Sequence, residues 1–222
     1  MTGKQNCAAK RARKRGNGAS RDPDRTRQRV LDAATVEFAR YGLGGARVDR
    51  IAARAGANKR MLYYYFGSKE DLFLAALEER YAHIRNAERE LDLEHLAPAE
   101  ALARLVQFTW EYFLEHPEFM TFLNSENLHK GRHVRKSKRV REMHSPLVHT
   151  LGEIVRRGER EGVFREGVDP VQLYISIAGE GYFYLGNRYT LSQIFGRDLM
   201  AQAALAERAR HNADMILNAL RK

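Results

Sequence analysis

Residues 57–72 of the chain, ANKRMLYYYFGSKEDL, place three tyrosines and a phenylalanine in a row between two cations and a glycine. Such a run invites aggregation unless part of it is covered. If the segment is a short helix capped by Asn58, successive residues turn by about 100°. One face then carries Lys59, Arg60, Tyr63 and Tyr64, the opposite face carries Leu62 and Phe66, and Met61 and Tyr65 flank the two. The sequence therefore predicts a helix that packs through its aliphatic and aromatic face.

The segments around this helix predict a helix-turn-helix. A first helix opens at Asp22-Pro23 and stops at Gly42, and its inward face carries Val30, Ala34, Phe38 and Tyr41. A second helix spans about 47–55 and ends at Gly56. Ser68 and Asp71 form a capping box that opens a long fourth helix. Two short helices joined by a glycine turn, after a longer helix in a basic chain, are typical of DNA-binding proteins.

The exposed face of the third helix has two interpretations. Lys59 and Arg60 can bind phosphates or guanine acceptors, and the hydroxyls of Tyr63 and Tyr64 can donate to phosphate oxygens. Alternatively, the two tyrosines pack against the fourth helix and the two cations are merely solvated. The preceding helix, the glycine turn and the capping box favour DNA binding.

At these positions residues 25–80 resemble the DNA-binding region of the TetR family of bacterial one-component transcriptional regulators. The family pattern is an apolar residue, Ile-Ala, Ala-Gly, a short recognition helix ending Leu-Tyr-Tyr-x-Phe, and a Ser-Lys-Glu-x-Leu helix start. The matching elements here are Val48, Ile51-Ala52, Ala55-Gly56, Leu62-Tyr63-Tyr64-x-Phe66 and Ser68-Lys69-Glu70-Asp71-Leu72. The match covers about a quarter of the chain.

The resemblance implies which residues touch DNA. It implies base or phosphate contacts from Lys59, Arg60 and Met61, and phosphate contacts from Tyr63, Tyr64, Tyr65 and Lys69. Two positions depart from the pattern. The second helix begins with Ala46-Arg47 in place of Ser or Thr, so Arg47 is the expected substitute contact, and Tyr65 stands where many members have His.

The whole chain is predicted to be all-α, with about nine helices and no strands. Beyond the fourth helix, further helices are predicted over 99–115, 118–129, from Ser145-Pro146 to Gly162, from Asp169-Pro170 to about 187, and from Asp198 to the C-terminus. The predicted domains are a disordered basic tail (1–21), a helix-turn-helix DNA-binding domain (22–68) and an effector-binding and dimerisation domain (69–222).

Charge is concentrated at the N-terminus. The tail carries seven of the net ten positive charges and no negative one, which suits either a solubilising leader or an arm that reaches DNA. No stretch is apolar for the roughly 20 residues that a membrane span needs. The single Cys7 has no partner for an intramolecular disulfide, and no signal-peptide core follows the basic start. A cytoplasmic protein without a membrane partner is expected.

Two apolar stripes near the C-terminus predict a homodimer interface, and the resemblance also implies dimerisation through the last two helices. The alternative is that both stripes face the core of the single chain. The candidate interface residues are Leu173, Ile177, Leu185, Leu199, Ala203, Ala206, Ala213, Ile216, Leu217 and Leu220.

An effector pocket is expected in the larger domain, where the family binds small molecules. Apolar walls with a few convergent polar groups suit such a pocket. The candidates are Trp110, Phe113, Phe122, Asn124, Glu126, Asn127, Tyr174 and Tyr182, with Phe119, His144 and Tyr184 as further aromatic candidates. Residues 116–133 also resemble a branch of the family that includes regulators of nicotinate and pyrimidine breakdown. This resemblance implies a small aromatic or N-heterocyclic effector, such as an acid.

No cofactor and no metal site is predicted. His129 and His133 share a helical spacing, but Lys130, Gly131 and Arg132 put positive charge and a helix breaker between them. The basic cluster Lys130 to Arg141 suits a solvated surface, an attraction for anionic effectors or a nonspecific DNA contact.

We therefore expect a one-component repressor that binds double-stranded DNA at a palindromic operator as a homodimer and is released by a small-molecule effector. Its two recognition helices would enter major grooves about one turn, roughly 34–36 Å, apart. An α-helical enzyme is an alternative, although the sequence lacks a phosphate loop or nucleophile elbow. A nonspecific nucleic-acid-binding protein that acts through its basic tail is another.

Overall fold

Ten α-helices and two short 3₁₀ turns form the regular structure of residues 23–222, the part of the chain that the computed structural model describes. The all-α prediction is confirmed, and the predicted basic tail lies outside the described residues. The helices are α1 Pro23–Gly45, α2 Val48–Ala55, α3 Lys59–Phe66, α4 Lys69–Arg89, α5 Pro98–Glu115, α6 Pro117–Leu128, α7 Lys138–Arg160, α8 Pro170–Gly186, α9 Arg188–Phe195 and α10 Gln202–Leu220. None of these helices is long and apolar enough to cross a membrane.

The predicted helix caps are confirmed. The Asn58 Oδ1 accepts a hydrogen bond of 2.9 Å from the Met61 amide at the start of α3. The Ser68 Oγ accepts one of 3.0 Å from the Asp71 amide at the start of α4. Each cap satisfies an amide that has no partner within its helix, a contribution of about 1 kcal/mol. The boundaries of both helices are thus determined locally.

The prediction that α7 begins near Ser145-Pro146 is wrong. The helix begins at Lys138, where the Ser137 Oγ accepts a hydrogen bond of 3.1 Å from the Val140 amide, and it runs through Pro146. A proline inside a helix removes one backbone hydrogen bond and costs about 3 kcal/mol. The helix tolerates it because residues on both sides of the proline, Val140 and Leu147, are buried.

The prediction that a single last helix begins at Asp198 is also wrong. The additional helix α9 follows α8 almost without a break and ends at Phe195, before Gly196, whose φ of 61° is left-handed. The last helix α10 then begins only at Gln202. Leu199 therefore lies in the connection between α9 and α10, where its carbonyl accepts a hydrogen bond of 2.8 Å from the Tyr184 hydroxyl.

The hydrophobic core of the N-terminal helices extends past the predicted domain boundary at residue 68. Phe38 of α1, Phe73 of α4 and Phe122 of α6 meet there, with ring centroids 5.2–6.1 Å apart. We call α1–α3 the head and residues 69–222 the body. The prediction that Tyr41 faces inward is wrong: the side chain is exposed, and its ring contacts the Arg50 guanidinium at 4.2 Å instead of the core.

Candidate nucleic-acid interface and ligand cavity

The turn between α2 and α3 depends on Gly56. Its φ of 58° and ψ of 37° are left-handed, a conformation that glycine adopts without steric cost. The Gly56 carbonyl accepts a hydrogen bond of 3.2 Å from the Arg29 side chain of α1. The turn is therefore attached to the first helix of the head.

The two faces of α3 divide as the sequence predicted. Leu62 and Phe66 are buried in the core of the head, whereas Tyr63 is 46% exposed and Tyr64 is 82% exposed. Tyr65 is half-buried and packs against the same core. The helix thus presents Tyr63 and Tyr64 to solvent, and Tyr65 has only part of its ring outside.

The predicted cationic contacts lie on or beside α3. Arg60 is exposed, and Lys69 is half-buried in the first turn of α4. Lys59 forms an exposed ion pair with Asp49 of α2, a residue that the sequence had not singled out. Exposed pairs of this kind contribute about 0–1 kcal/mol, so a DNA phosphate can compete for Lys59. Met61 is half-buried beside them.

The start of α2 is supported by a residue of α1 instead of its own cap. Arg47 is exposed at the N-cap position and makes no side-chain capping hydrogen bond. The buried Glu37 carboxylate accepts hydrogen bonds of 2.9 Å from the Arg47 amide and 2.6 Å from the Arg50 Nε. Burial by itself would raise the pKa of Glu37, but these hydrogen bonds outweigh it and the pKa is lowered. Sequence inspection missed this role because Glu37 sits among the apolar positions of α1.

A cavity of about 230 Å³ lies in the body between α4, α5, α6 and α8; we call it the inner cavity. Three of the predicted pocket residues line it, Phe113, Tyr174 and Tyr182, as does the further candidate Phe119. Its volume is below the roughly 300–1,000 Å³ of pockets for drug-sized ligands. A small ligand with an aromatic ring matches this space.

The other predicted pocket residues lie elsewhere. Phe122 is in the core of the head, Trp110 is buried beside Tyr184, and Glu126 accepts hydrogen bonds from the backbone of His133 and Val134. Asn127 is exposed. The Asn124 Oδ1 accepts a hydrogen bond from the Tyr182 hydroxyl, so Asn124 contacts a lining residue without lining the cavity itself. His144 stacks edge-on against Tyr81 and Tyr174 from α7.

A buried ion pair that the sequence analysis missed also lines the inner cavity. The Arg85 Nη2 donates to the Glu88 Oε1 at 2.9 Å, and both side chains are about 5% exposed. The Arg85 Nε and Nη1 and the Glu88 Oε2 have no hydrogen-bond partner. Burial raises the pKa of Glu88 to about 7, although the nearby Arg85 opposes the shift. Charged residues three apart on a helix are usually at the surface, so the spacing of Arg85 and Glu88 did not predict a buried pair.

A second cavity of about 480 Å³, the outer cavity, lies between the C-terminal end of α4 and α7. Arg85 and Glu88 line both cavities. The remaining charged residues of the outer cavity, Arg89, Asp92, Glu94 and Glu142, are exposed. The ion pair therefore stands between a polar outer space and an aromatic inner one.

The candidate dimer residues are divided between the core and the surface. Leu173, Ile177, Leu185, Ile216 and Leu220 are buried in the core of the chain itself, so they have almost no surface to offer a second copy. Ala213 and Leu217 are half-buried against that core, and Ala203 and Ala206 are exposed. The large apolar side chains that α8 and α10 expose are Val171, Ile175, Phe183 and Met215.

The paired histidines are engaged within the chain. His133 is buried and its Nδ1 lies 2.5 Å from the Glu126 carboxylate, while the His129 Nδ1 lies 2.7 Å from the Ser125 carbonyl. Between residues 23 and 222, no three His, Cys, Asp or Glu side chains are grouped as metal ligands would be.

The head geometry, with an exposed tyrosine- and cation-bearing helix after a glycine turn, defines the class of helix-turn-helix DNA-binding proteins. Residues 30–76 match the family described as "Bacterial regulatory proteins, tetR family". Residues 98–216 match the "Tetracyclin repressor-like, C-terminal domain". The chain belongs to the TetR family of bacterial regulatory proteins; it is a transcriptional regulator and not an enzyme.

Named relatives agree with this assignment. The chain is 42% identical over 199 residues to the HTH-type transcriptional repressor NicS of Pseudomonas putida, an alignment that covers 90% of this chain and 94% of that protein. It is 33% identical over 163 residues to the HTH-type transcriptional repressor SCO4008 of Streptomyces coelicolor, covering 72% and 79%. The ketosteroid transcriptional regulator KstR2 of Mycobacterium tuberculosis shares the fold, with a TM-score of 0.64 and 21% identity over 88% of this chain and 95% of that one.

Proposed function

We propose that this regulator is a cytoplasmic homodimeric repressor that binds a two-fold symmetric operator and releases it when a small aromatic or N-heterocyclic acid enters the inner cavity. The observation that carries the ligand class is the buried Arg85, whose Nε and Nη1 lack partners at the edge of an aromatic cavity. Two relatives named as repressors support the direction of regulation.

DNA contacts are assigned to Arg47, Lys59, Arg60, Met61, Tyr63, Tyr64, Tyr65 and Lys69. The exposure of Arg60, Tyr63 and Tyr64 supports this assignment, because these side chains need no rearrangement to meet a duplex. The half-buried Tyr65 would reach the DNA backbone only with the edge of its ring. Lys59 would exchange Asp49 for a phosphate.

We assign the contact with the second copy of the chain to the outward faces of α8 and α10. Val171, Ile175 and Phe183 of α8 are 45–61% exposed, and Met215 of α10 is 51% exposed. Large apolar side chains exposed on neighbouring helices are favourable to bury against another protein. This face replaces the buried residues Leu173, Ile177 and Leu185 in the proposed interface.

The effector is assigned to the inner cavity. A guanidinium offers paired N–H groups that match a carboxylate, and a charge-assisted pair is strongest where water is excluded. The aromatic walls formed by Phe113, Phe119 and Tyr182 suit a flat ring. A small acid with one aromatic ring satisfies both requirements.

Communication between cavity and head is assigned to α6. Phe119 and Leu123 on one face of this helix line the inner cavity, while Phe122 on another face packs between Phe38 and Phe73. A displacement of α6 by the ligand would therefore change the packing in the core of the head. Such coupling requires the ligand to bind one of the two arrangements more tightly.

A thermal-shift screen tests the ligand assignment. Nicotinate and benzoate should raise Tm, whereas nicotinamide and benzamide, their uncharged counterparts, should not. At a concentration about a hundredfold above Kd, binding stabilises by about 2.7 kcal/mol, which for a chain of this size is a rise of roughly 5–10 °C.

Arg85→Met should abolish the shift, and Arg89→Met, a change on the same helix at an exposed position, should retain it. A screen in which no aromatic acid raises Tm, or in which the amides act as well as the acids, would contradict the proposed ligand class.

A further inference from the structure

The Arg85–Glu88 pair is only half satisfied in its buried position. Arg85 uses one nitrogen, Nη2, for Glu88, and leaves Nε and Nη1 without partners. Glu88 likewise leaves Oε2 without a partner. Buried ionic groups are stable only when their remaining donors and acceptors are also paired. The site therefore retains hydrogen-bonding capacity for one more group.

The pair is also placed where an entering acid would meet it. Arg85 and Glu88 are the two residues that the inner and outer cavities share. A carboxylate that places its ring among Phe113, Phe119 and Tyr182 brings its charge to this boundary. It then competes with the Glu88 carboxylate for the same guanidinium.

We propose that the acid ligand replaces Glu88 as the partner of Arg85, and that Glu88 takes up one proton from solvent as it is displaced. This proposal rests on the proposed function, since it assumes an acid in the inner cavity. The ligand remains a carboxylate and pairs with the guanidinium, while Glu88 becomes a neutral carboxylic acid. No covalent bond other than the new O–H of Glu88 forms.

Charge balance in a buried site favours this exchange. Without proton uptake, one guanidinium would face two carboxylates, and the site would hold an uncompensated negative charge away from water. With uptake the buried charge is balanced. Glu88 is already close to this change, because burial has raised its pKa to about 7 in the ligand-free chain. Losing Arg85 as a partner and gaining an anionic neighbour both push the pKa upward.

The other titratable and charged groups around Glu88 do not change charge in the same range. From α4, the pKa of Tyr81 is raised to about 12 by burial. From α7, burial and the nearby Arg85 lower the pKa of His144 below its ordinary value of 6.5, so this imidazole is neutral above pH 7. From α8, burial raises the pKa of Tyr182.

The remaining groups that face the pair are Tyr112 of α5, whose pKa burial raises, Tyr174 of α8 and the exposed Arg89, Asp92, Glu94 and Glu142 of the outer cavity. Between about pH 7 and pH 9, Glu88 is therefore the group whose protonation the ligand changes.

Calorimetric titration with nicotinate tests the exchange. The full chain is titrated from about pH 6.5 to pH 9 in phosphate and in Tris, whose ionisation enthalpies differ, so that the number of protons taken up follows from the two heats. Uptake should approach one proton per site above pH 7. Because the free site loses its proton there, Kd should weaken by up to about tenfold per pH unit.

Variants separate Glu88 from its neighbours. Glu88→Gln imitates the protonated side chain, so its Kd should be independent of pH, its proton uptake should be zero, and it should bind more tightly than the wild-type chain at high pH. Glu90→Gln, at an exposed position after α4 that lines neither cavity, should retain the wild-type profile.

The wild-type titration decides the outcome even if Glu88→Gln does not fold. Nicotinate binding with a constant Kd and no buffer-dependent heat would overturn the exchange while leaving an acid-binding regulator. Absence of binding by nicotinate and benzoate at every pH would overturn the proposed ligand class and the exchange with it.

Discussion

The backbone amide of Leu43, at the end of α1, donates a buried hydrogen bond of 3.2 Å to the Ser125 Oγ on α6. Gly42, the residue before Leu43, adopts a φ of 61°, and a side chain at this position would contact the same hydroxyl. This polar contact joins the head to the body next to the Phe38–Phe73–Phe122 cluster. Ser125 is therefore a direct probe of the proposed communication between the inner cavity and the head.

Replacing Ser125 with Ala should weaken the coupling between ligand and DNA. The variant loses one hydrogen bond, a change of about 1 kcal/mol, which corresponds to roughly a fivefold loss in the factor by which an acid ligand weakens DNA affinity. DNA affinity without ligand and ligand affinity without DNA should change much less. Fluorescence anisotropy with labelled operator, with and without the acid, measures all three quantities.

The matched control is Thr121→Ala on the same helix, whose hydroxyl donates to the Pro117 carbonyl of its own first turn. It should leave the coupling factor unchanged. If Ser125→Ala and Thr121→Ala change the coupling factor equally, the hydrogen bond between Leu43 and Ser125 does not couple ligand binding to DNA binding.

The second prediction concerns the exposed cations of α3. Replacing Lys59 and Arg60 with Ala should abolish sequence-specific DNA binding, because each contact to a base edge or phosphate is worth about 1–3 kcal/mol. Circular dichroism should be unchanged, since neither side chain is part of the core. Anisotropy with specific and scrambled duplexes at fixed salt provides the measurement.

Arg104→Ala, which removes an exposed cation from α5 in the body, is the control and should bind DNA like the wild-type chain. Specific binding that survives the double substitution would show that α3 does not recognise the operator.

The sequence predicted α3 and its faces well because their causes are local. Asn58 and Ser68 cap the helices on either side of a glycine, and the period of Leu62 and Phe66 fixes the buried face. The start of α7 and the separation of α9 from α10 were predicted wrongly. Pro146 resembles a helix start, although α7 begins at the Ser137 cap and continues through the proline, and the left-handed Gly196 ends a helix that the sequence did not predict.

The candidate sites were also harder to predict than α3, because their contacts depend on how the helices pack and not on neighbouring residues in the sequence. An apolar stripe such as Leu173 and Ile177 indicates that a helix face will be buried, but not whether its own chain or a second copy covers it. The Arg85–Glu88 pair has the spacing of an ordinary surface pair, and only the fold places it between two cavities.

The third prediction concerns Glu37, which supports the start of α2. Its lowered pKa means that its stabilising effect is present above the ordinary value of 4.5 and is lost as pH falls through the lower folded-state pKa. Glu37→Gln should lower the free energy of unfolding at pH 7 by about 1.5–3 kcal/mol, the range for hydrogen bonds to charged groups. Urea denaturation at several pH values should show the difference shrinking toward acid pH.

Glu90→Gln, at an exposed site after α4, should unfold like the wild-type chain at every pH. A deficit for Glu37→Gln that stays constant from neutral to acid pH would mean that the charge of Glu37 does not stabilise the head.

The fourth prediction concerns the outward faces of α8 and α10. Phe183→Glu combined with Met215→Glu should convert a dimer into a monomer at micromolar concentration, because two charges would be buried without partners at the proposed interface. Light scattering coupled to size-exclusion chromatography measures the mass directly. Leu128→Glu, at an 82% exposed position at the end of α6, should remain dimeric. A monomeric mass for the wild-type chain would contradict the proposed dimer.

Selection of bound duplexes from a random DNA pool tests the proposed repressor most directly. Two copies of α3 presented by a symmetric dimer should enrich one motif with two-fold symmetry, whose half-sites are centred about one helical turn, roughly 34–36 Å, apart. Binding to that motif should weaken when nicotinate is added. An enriched motif without two-fold symmetry, or steeply salt-dependent binding with no enriched motif at all, would contradict a dimeric operator-binding regulator.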